Sequence, residues 1–220
     1  MEDFLGTWTL TKLASAVKNN LEAGLKQSSN TPFSMEQLEH TIIAVRNFLI
    51  KQQLNQGLSD KRPLMQEINC IPLDCEMLSL CCNVNTREKA LHFVLPQMIE
   101  LDFIGTVHRN IEFKIYKDEM LNYNQYRHPA VRNRPYVWLR QHKGKIHGFL
   151  FNPPTFNIEY ISATGILENP LDVNLYECCT LNPETDRFPV TPELVKLIID
   201  EITGNWASWY YRFSRYNANS

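Results

Sequence analysis

The chain has 220 residues, 44% of them hydrophobic and 21% charged, and its 22 basic and 24 acidic side chains leave a formal charge of −2. That is an ordinary globular composition, and it excludes a disordered, collagenous or coiled-coil chain. No apolar run approaches the ~20 residues of a membrane-spanning helix, Met1-Glu2-Asp3-Phe4 is no basic leader, and a net charge near zero argues against a general nucleic-acid coat.

The first 57 residues predict a helical hairpin. Leu10, Leu13, Ala14, Val17, Leu21 and Leu25 recur at three- and four-residue steps and share one helical face. Ser28-Ser29-Asn30-Thr31-Pro32 breaks the pattern. A second start follows: Ser34 as N-cap, Gln37 closing a capping box, and Phe33 packing on Leu38 as a hydrophobic staple. Leu38, Ile42, Val45 and Leu49 form the stripe of this helix, and Gly57 ends it.

From Met65 to Gly165 the period changes to two, the signature of strands. Cys70 to Cys82, with Pro72 inside, reads as an edge strand or arm. Ile104-Gly105-Thr106-Val107 reads as a strand, and Ile111 to Tyr116 alternates strictly. Tyr136 to Arg140 and Ile146 to Phe151 flank Gln141-His142-Lys143-Gly144-Lys145, predicting a hairpin with a five-residue basic loop. Asn157 to Gly165 makes a further strand.

Thr191-Pro192-Glu193 combines an N-cap, proline at the first helical position and an acid in the first turn, with Leu194, Leu197, Ile198 and Ile202 as the apolar face. The chain then carries Trp206, Trp209, Tyr210, Tyr211, Phe213 and Tyr216 with Arg212 and Arg215, six aromatic rings and two arginines within eleven residues. Trp, Tyr and Arg are the residue types that anchor interfaces. Such a tail either extends the last helix and packs on its own sheet or docks into a neighbouring protein, and docking is the reading adopted. The expected architecture is α+β: a helical hairpin (1–60), an antiparallel β-sheet middle (61–190), and a C-terminal helix with an extended aromatic tail (191–220), together one compact body.

Charge is segregated along the chain. Between Met120 and Ile158 there is no acid, but Arg127, Arg132, Arg134, Arg140, Lys143 and Lys145 give a local +6. Between Glu159 and Glu201 nine acids face only Arg187 and Lys196, a local −7. The two blocks either neutralise one another inside a monomer or meet across a repeated head-to-tail boundary, which closes into a ring. With Tyr123, Tyr126, Tyr136 and Trp138 the basic segment 127–145 also suggests an alternative, a nucleic-acid-binding module.

No constellation for chemistry stands out. GxSxG, GxxxxGK[ST], GxGxxG and HExxH are all missing, and the six histidines are scattered singly. Glu100 and Asp102 lie two apart, an arrangement common by chance. The cysteines (Cys70, Cys75, Cys81, Cys82, Cys178, Cys179) contain two adjacent doublets, a poor disulfide framework, and their spacing matches no pair of zinc knuckles. They read as small buried hydrophobes in a reducing compartment. No catalytic residue, metal or cofactor is expected.

The order of parts resembles head–tail connector or neck-ring proteins of short-tailed crAss-like bacteriophages. The residues that carry the likeness are the helical pair up to Gly57, Glu67-Ile68-Asn69-Cys70-Ile71-Pro72-Leu73-Asp74-Cys75, Ile104-Gly105-Thr106-Val107, Arg134-Pro135-Tyr136-Val137-Trp138-Leu139, the run Ile161 to Pro170, and Tyr210-Tyr211-Arg212-Phe213. The resemblance implies a non-enzymatic virion part, assembled in the host bacterial cytoplasm, forming a homo-oligomeric ring, commonly twelve-fold, between portal and tail. It further implies the portal and other neck or tail proteins as partners, and no membrane. The basic hairpin would face packaged DNA or an acidic neighbour.

Overall fold

The computed structural model describes residues 8–24, 34–57, 60–74, 90–116, 134–153 and 158–217. Cys75, Cys81, Cys82, Arg127, Arg132, and the Phe33 half of the expected staple lie outside them. The chain forms two compact units, one from residues 1–65, 168–171 and 181–220, the other from 66–167 and 172–180.

The first unit is helical. Helix α1 (Leu10–Gly24) and α2 (Met35–Asn55) make the expected hairpin, and α3 (Pro192–Asn217) packs on both. The capping box at α2 is complete: Ser34 Oγ accepts from the Gln37 amide at 3.1 Å and Gln37 Oε1 accepts from the Ser34 amide at 3.2 Å. Gly57, at φ 83°, follows the C-cap Gln56 and turns the chain away. At α3, Thr191 Oγ1 accepts from the Leu194 amide at 3.2 Å, closing the predicted N-cap.

Every described position of the two predicted stripes is buried: Leu10, Leu13, Ala14, Val17 and Leu21 on α1, and Leu38, Ile42, Val45 and Leu49 on α2. Burying one such side chain is worth roughly 1.5–3 kcal/mol, so the hairpin is held by its tertiary face more than by helix propensity. On α3 the interior face is Leu194, Val195, Ile198 and Ile202, whereas Leu197, expected inside, is 43% exposed. The helical phase explains this: 197 stands beside the 194–198–202 row, and Val195 takes its place. The aromatic tail extends the last helix through Asn217, with one non-helical residue, Asn205, breaking α3 in the middle. The side chains beyond Asn205 lie outside the described structure.

Among the described residues Arg46 is the one charged side chain in the set of fully buried large ones, 0% exposed at the centre of the α2 face. Its Nε donates to the Pro189 carbonyl at 3.0 Å, its Nη1 to Asn47 Oδ1 at 3.0 Å, and its guanidinium lies over the Phe188 ring at 5.7 Å. It thus ties the polar stretch before α3 to the middle of α2.

The second unit holds two sheets. The first, β1 (Gln66–Pro72), β7 (Tyr160–Leu167) and β3 (Met98–Thr106), is antiparallel in the order β1-β7-β3, with β1 on the edge, where Pro72 can be accommodated. Arg109 ties all three strands. It donates to Glu67 on β1 and to Thr164 Oγ1 on β7, and stacks over Phe103 on β3 at 5.1 Å. The second sheet has the order β2 (Ala90–Leu95), β6 (Lys145–Phe151), β5 (Tyr136–His142), β4 (Lys114–Tyr116). Here the middle is mixed and not wholly antiparallel, because β4 runs parallel to β5.

Two local expectations change. Of the alternating run from Ile111, only Lys114–Tyr116 is strand, with Glu112 bridging singly to Gly105. The β5–β6 loop is also shorter than expected. His142 pairs with Lys145, and Lys143 (φ 47°) and Gly144 (φ 71°) alone make the turn. Positive φ at both turn residues matches the twist of the flanking strands, which is why two residues suffice.

Candidate assembly surface

The β5–β6 hairpin carries the described part of the predicted basic surface. Arg134, Arg140, Lys143 and Lys145 are all exposed, the last two at the turn. Away from the turn the same strands are buried on both faces. Tyr136 stacks on Phe151 with centroids 4.9 Å apart, and Trp138 on Phe149 at 5.3 Å, each pair directly opposed in register. Such pairs are worth about 0.5–1.5 kcal/mol beyond their buried area. Tyr136 and Trp138 are only 7% and 6% exposed. They are therefore core residues and do not offer their faces to bases, whereas Tyr123 and Tyr126 lie outside the described residues.

The acidic block spreads over both units. Glu159 and Glu177 are exposed in the strand-rich unit, and Glu184, Glu193 and Asp200 in the helical one. Glu168 is engaged at 2.7 Å by Lys51. Among the described residues Lys143 and Lys145 form no ion pair, so the hairpin tip presents its charge outward. Trp206, Trp209, Tyr210, Tyr211, Arg212, Phe213, Arg215 and Tyr216 stand on the distal half of α3, beyond the break at Asn205.

Two clusters were invisible in the sequence. Diagonal pairing on β2 and β6 places His92 Nε2 3.0 Å from His147 Nδ1, and the His142 ring lies 5.9 Å from that of His147. His92 borders a pocket of about 390 Å³ lined also by Asp74, Lys145 and Tyr176. Burial holds His92 below its ordinary value, and the charge of His147 adds to that against a small opposing effect of Asp74. His147 is lowered by burial, then by His142 and Lys145. Tyr176 donates to the Val94 carbonyl at 2.8 Å, and its phenol is pushed up, first by burial and then by Asp172 and Cys179.

A depressed histidine gives the folded state fewer bound protons than the unfolded chain just below the ordinary value of ~6.5, so stability falls as pH drops through that range. We expect the melting temperature to fall between about pH 7 and about pH 5, and to fall less in His147→Gln, which frees His92 of its neighbour. Thermal melts across that range check this, and equal pH slopes in the two chains would contradict it.

The second cluster corrects the reading of the cysteines as unlinked buried hydrophobes. Cys70 on β1 and Cys178, 108 residues later, form a disulfide, and Cys179 remains a half-buried thiol. Linear spacing hides this pair, because β1 and the turn at 176–179 meet only through the strand order.

Among the described residues no helix is long and apolar enough to cross a membrane. Aromatic rings among the described residues pack inside, and charge is presented on a hairpin tip and along helix rims. The chain belongs to the phage tail ring protein 2 family of crAss-like phages, whose model matches residues 13–213. Membership makes it a structural ring component of the virion. No curated protein matches the chain.

Proposed function

We propose that the chain assembles as a homo-oligomeric ring, twelve-fold, in the head–tail connector, joining portal to tail. The observation that carries this reading is the family match across residues 13–213, which spans both units and so involves the chain as a whole. A ring built from one chain needs two unlike, complementary patches on each copy. The exposed cations Arg134, Arg140, Lys143 and Lys145 supply one and the acids of segment 159–201 the other. The distal half of α3, with its rings and arginines, reaches the portal or another neck or tail protein. Assembly takes place in the host bacterial cytoplasm, before the virion leaves the cell.

Long-range attraction between exposed charges is screened within about 8–10 Å at physiological salt, so the charged contact sets register and encounter rate more than affinity. We expect Lys143→Glu with Lys145→Glu to weaken ring formation at low salt, the difference from wild type closing as salt rises. Sedimentation of each chain, alone and with the portal of the same virion, reads both steps. A wild-type chain that ignores the portal contradicts the connector placement. If the variant instead assembles normally but loses a steeply salt-dependent affinity for duplex DNA, the hairpin tip faces packaged DNA.

A further inference from the structure

The absence of paired zinc knuckles in the sequence bears only on sites whose ligands are close along the chain, and here they come from two distant segments. Cys70 lies near the end of β1. Cys178 and Cys179 lie in a turn after the 3-10 helix Pro170–Leu175, closed by the Cys179 amide donating to the Tyr176 carbonyl at 3.0 Å. Tyr176 is itself anchored on Val94. The three Sγ atoms all lie within 4.8 Å of one another, and Cys178 Sγ and Cys179 Sγ are 3.6 Å apart. Two thiolates bound to one tetrahedral zinc ion at ~2.3 Å each stand ~3.8 Å apart. The spacing of the adjacent pair is therefore already that of a chelate.

We propose that Cys70, Cys178 and Cys179 form a three-thiolate site for a soft d10 cation of the zinc class, and that this site and the Cys70–Cys178 disulfide are alternative states of the same sulfurs. Three protein sulfurs leave the fourth tetrahedral position to water or to an outside ligand. Thiolates select zinc and cuprous ions over hard cations. The Cys178 amide donates to Cys70 Sγ at 3.1 Å, a bond that favours the anionic sulfur. Cys178 is exposed and its two neighbours half-buried, so an ion has a path in.

The two states interconvert by a balanced step. A dithiol reductant gives two hydrogens to the Cys70–Cys178 bond and itself becomes a disulfide, leaving three thiols. The cation then takes their place on sulfur as the thiol protons leave to solvent. A low-molecular-weight disulfide reverses the first step, taking the two electrons and becoming two thiols while the cation departs. Cys179 is outside the disulfide in either case, which makes it the residue that tells the two states apart.

The test uses the full chain, reduced with dithiothreitol, desalted without oxygen and titrated with Co²⁺. The expected result is one equivalent of cobalt per chain with thiolate-to-cobalt charge-transfer absorption, displaced by Zn²⁺. Cys179→Ser should weaken binding about tenfold or more while leaving circular dichroism and the oxidised disulfide unchanged. A chain carrying Cys75→Ser, Cys81→Ser and Cys82→Ser together should bind as wild type does. A reduced wild-type chain without the charge-transfer band, a Cys179→Ser chain that binds cobalt unchanged, or loss of binding in the triple variant would each overturn the proposal.

Discussion

Replacing Arg46 with alanine is expected to destabilise the chain by about 3–5 kcal/mol, whereas Arg46→Met should cost no more than about 1 kcal/mol. The difference separates what the side chain fills from what its charge does. Burial pushes the Arg46 guanidinium down to about 9, so it stays charged at neutral pH at an energetic cost to the fold. Methionine removes that cost and keeps most of the fully buried apolar stem. Both substitutions take the donor away from the Pro189 carbonyl, but alanine removes the stem as well and opens a cavity in the α2 face. Chemical denaturation of the three chains checks this. Equal losses in Ala and Met would mean that the bond to Pro189, and not packing, is what the position supplies.

Deleting residues 206–220 should abolish ring assembly and leave a folded chain whose melting temperature stays within a few degrees of the full chain's. Among the described residues the interior positions of α3 are Leu194, Val195, Ile198 and Ile202, before the break at Asn205. The first half of the helix thus retains its packing on α1 and α2 when the second half is removed. The deleted part carries six aromatic rings and two arginines, the residue types whose truncation at interfaces costs most. Light scattering reports the mass and a thermal melt the fold. A truncated chain that unfolds would show that the distal rings belong to the core of the monomer.

The helical unit was largely legible in the sequence because its signals are local. Ser34 with Gln37, Thr191 with Pro192, Gly57 and the three- and four-residue stripes each depend on neighbours within one or two turns. The sheets were legible as period-two segments but not in their order, because pairing β1 with β7 or β4 in parallel with β5 is a long-range choice that alternation does not encode. β2 was hidden for the same reason, and Lys143-Gly144 was taken for the middle of a longer loop because a non-glycine residue with positive φ leaves little trace in sequence. Arg46 did have a signal. It sits four residues after Ile42 and four before Ile50, inside the stripe, where a charge must find a partner. His92 with His147, and Cys70 with Cys178 and Cys179, had none, since each cluster is created by strand register or chain return. Arg134, Arg140, Lys143 and Lys145 are exposed, whereas Tyr136 and Trp138, which the sequence groups with them, are core. Burial on this hairpin changes along its length and not from face to face: Tyr136, Val137 and Trp138 are buried, while Arg140, on the same face as Tyr136 and Trp138, is exposed nearer the turn.

The central claim is that this chain, by itself, has the two complementary patches needed to close into a ring. Native mass spectrometry of the purified full chain, at low salt and near neutral pH, tests it most directly. The expected result is one dominant closed oligomer, a twelve-mer, that dissociates toward monomer as salt is raised. A strict monomer at every salt concentration and protein concentration tried would contradict it.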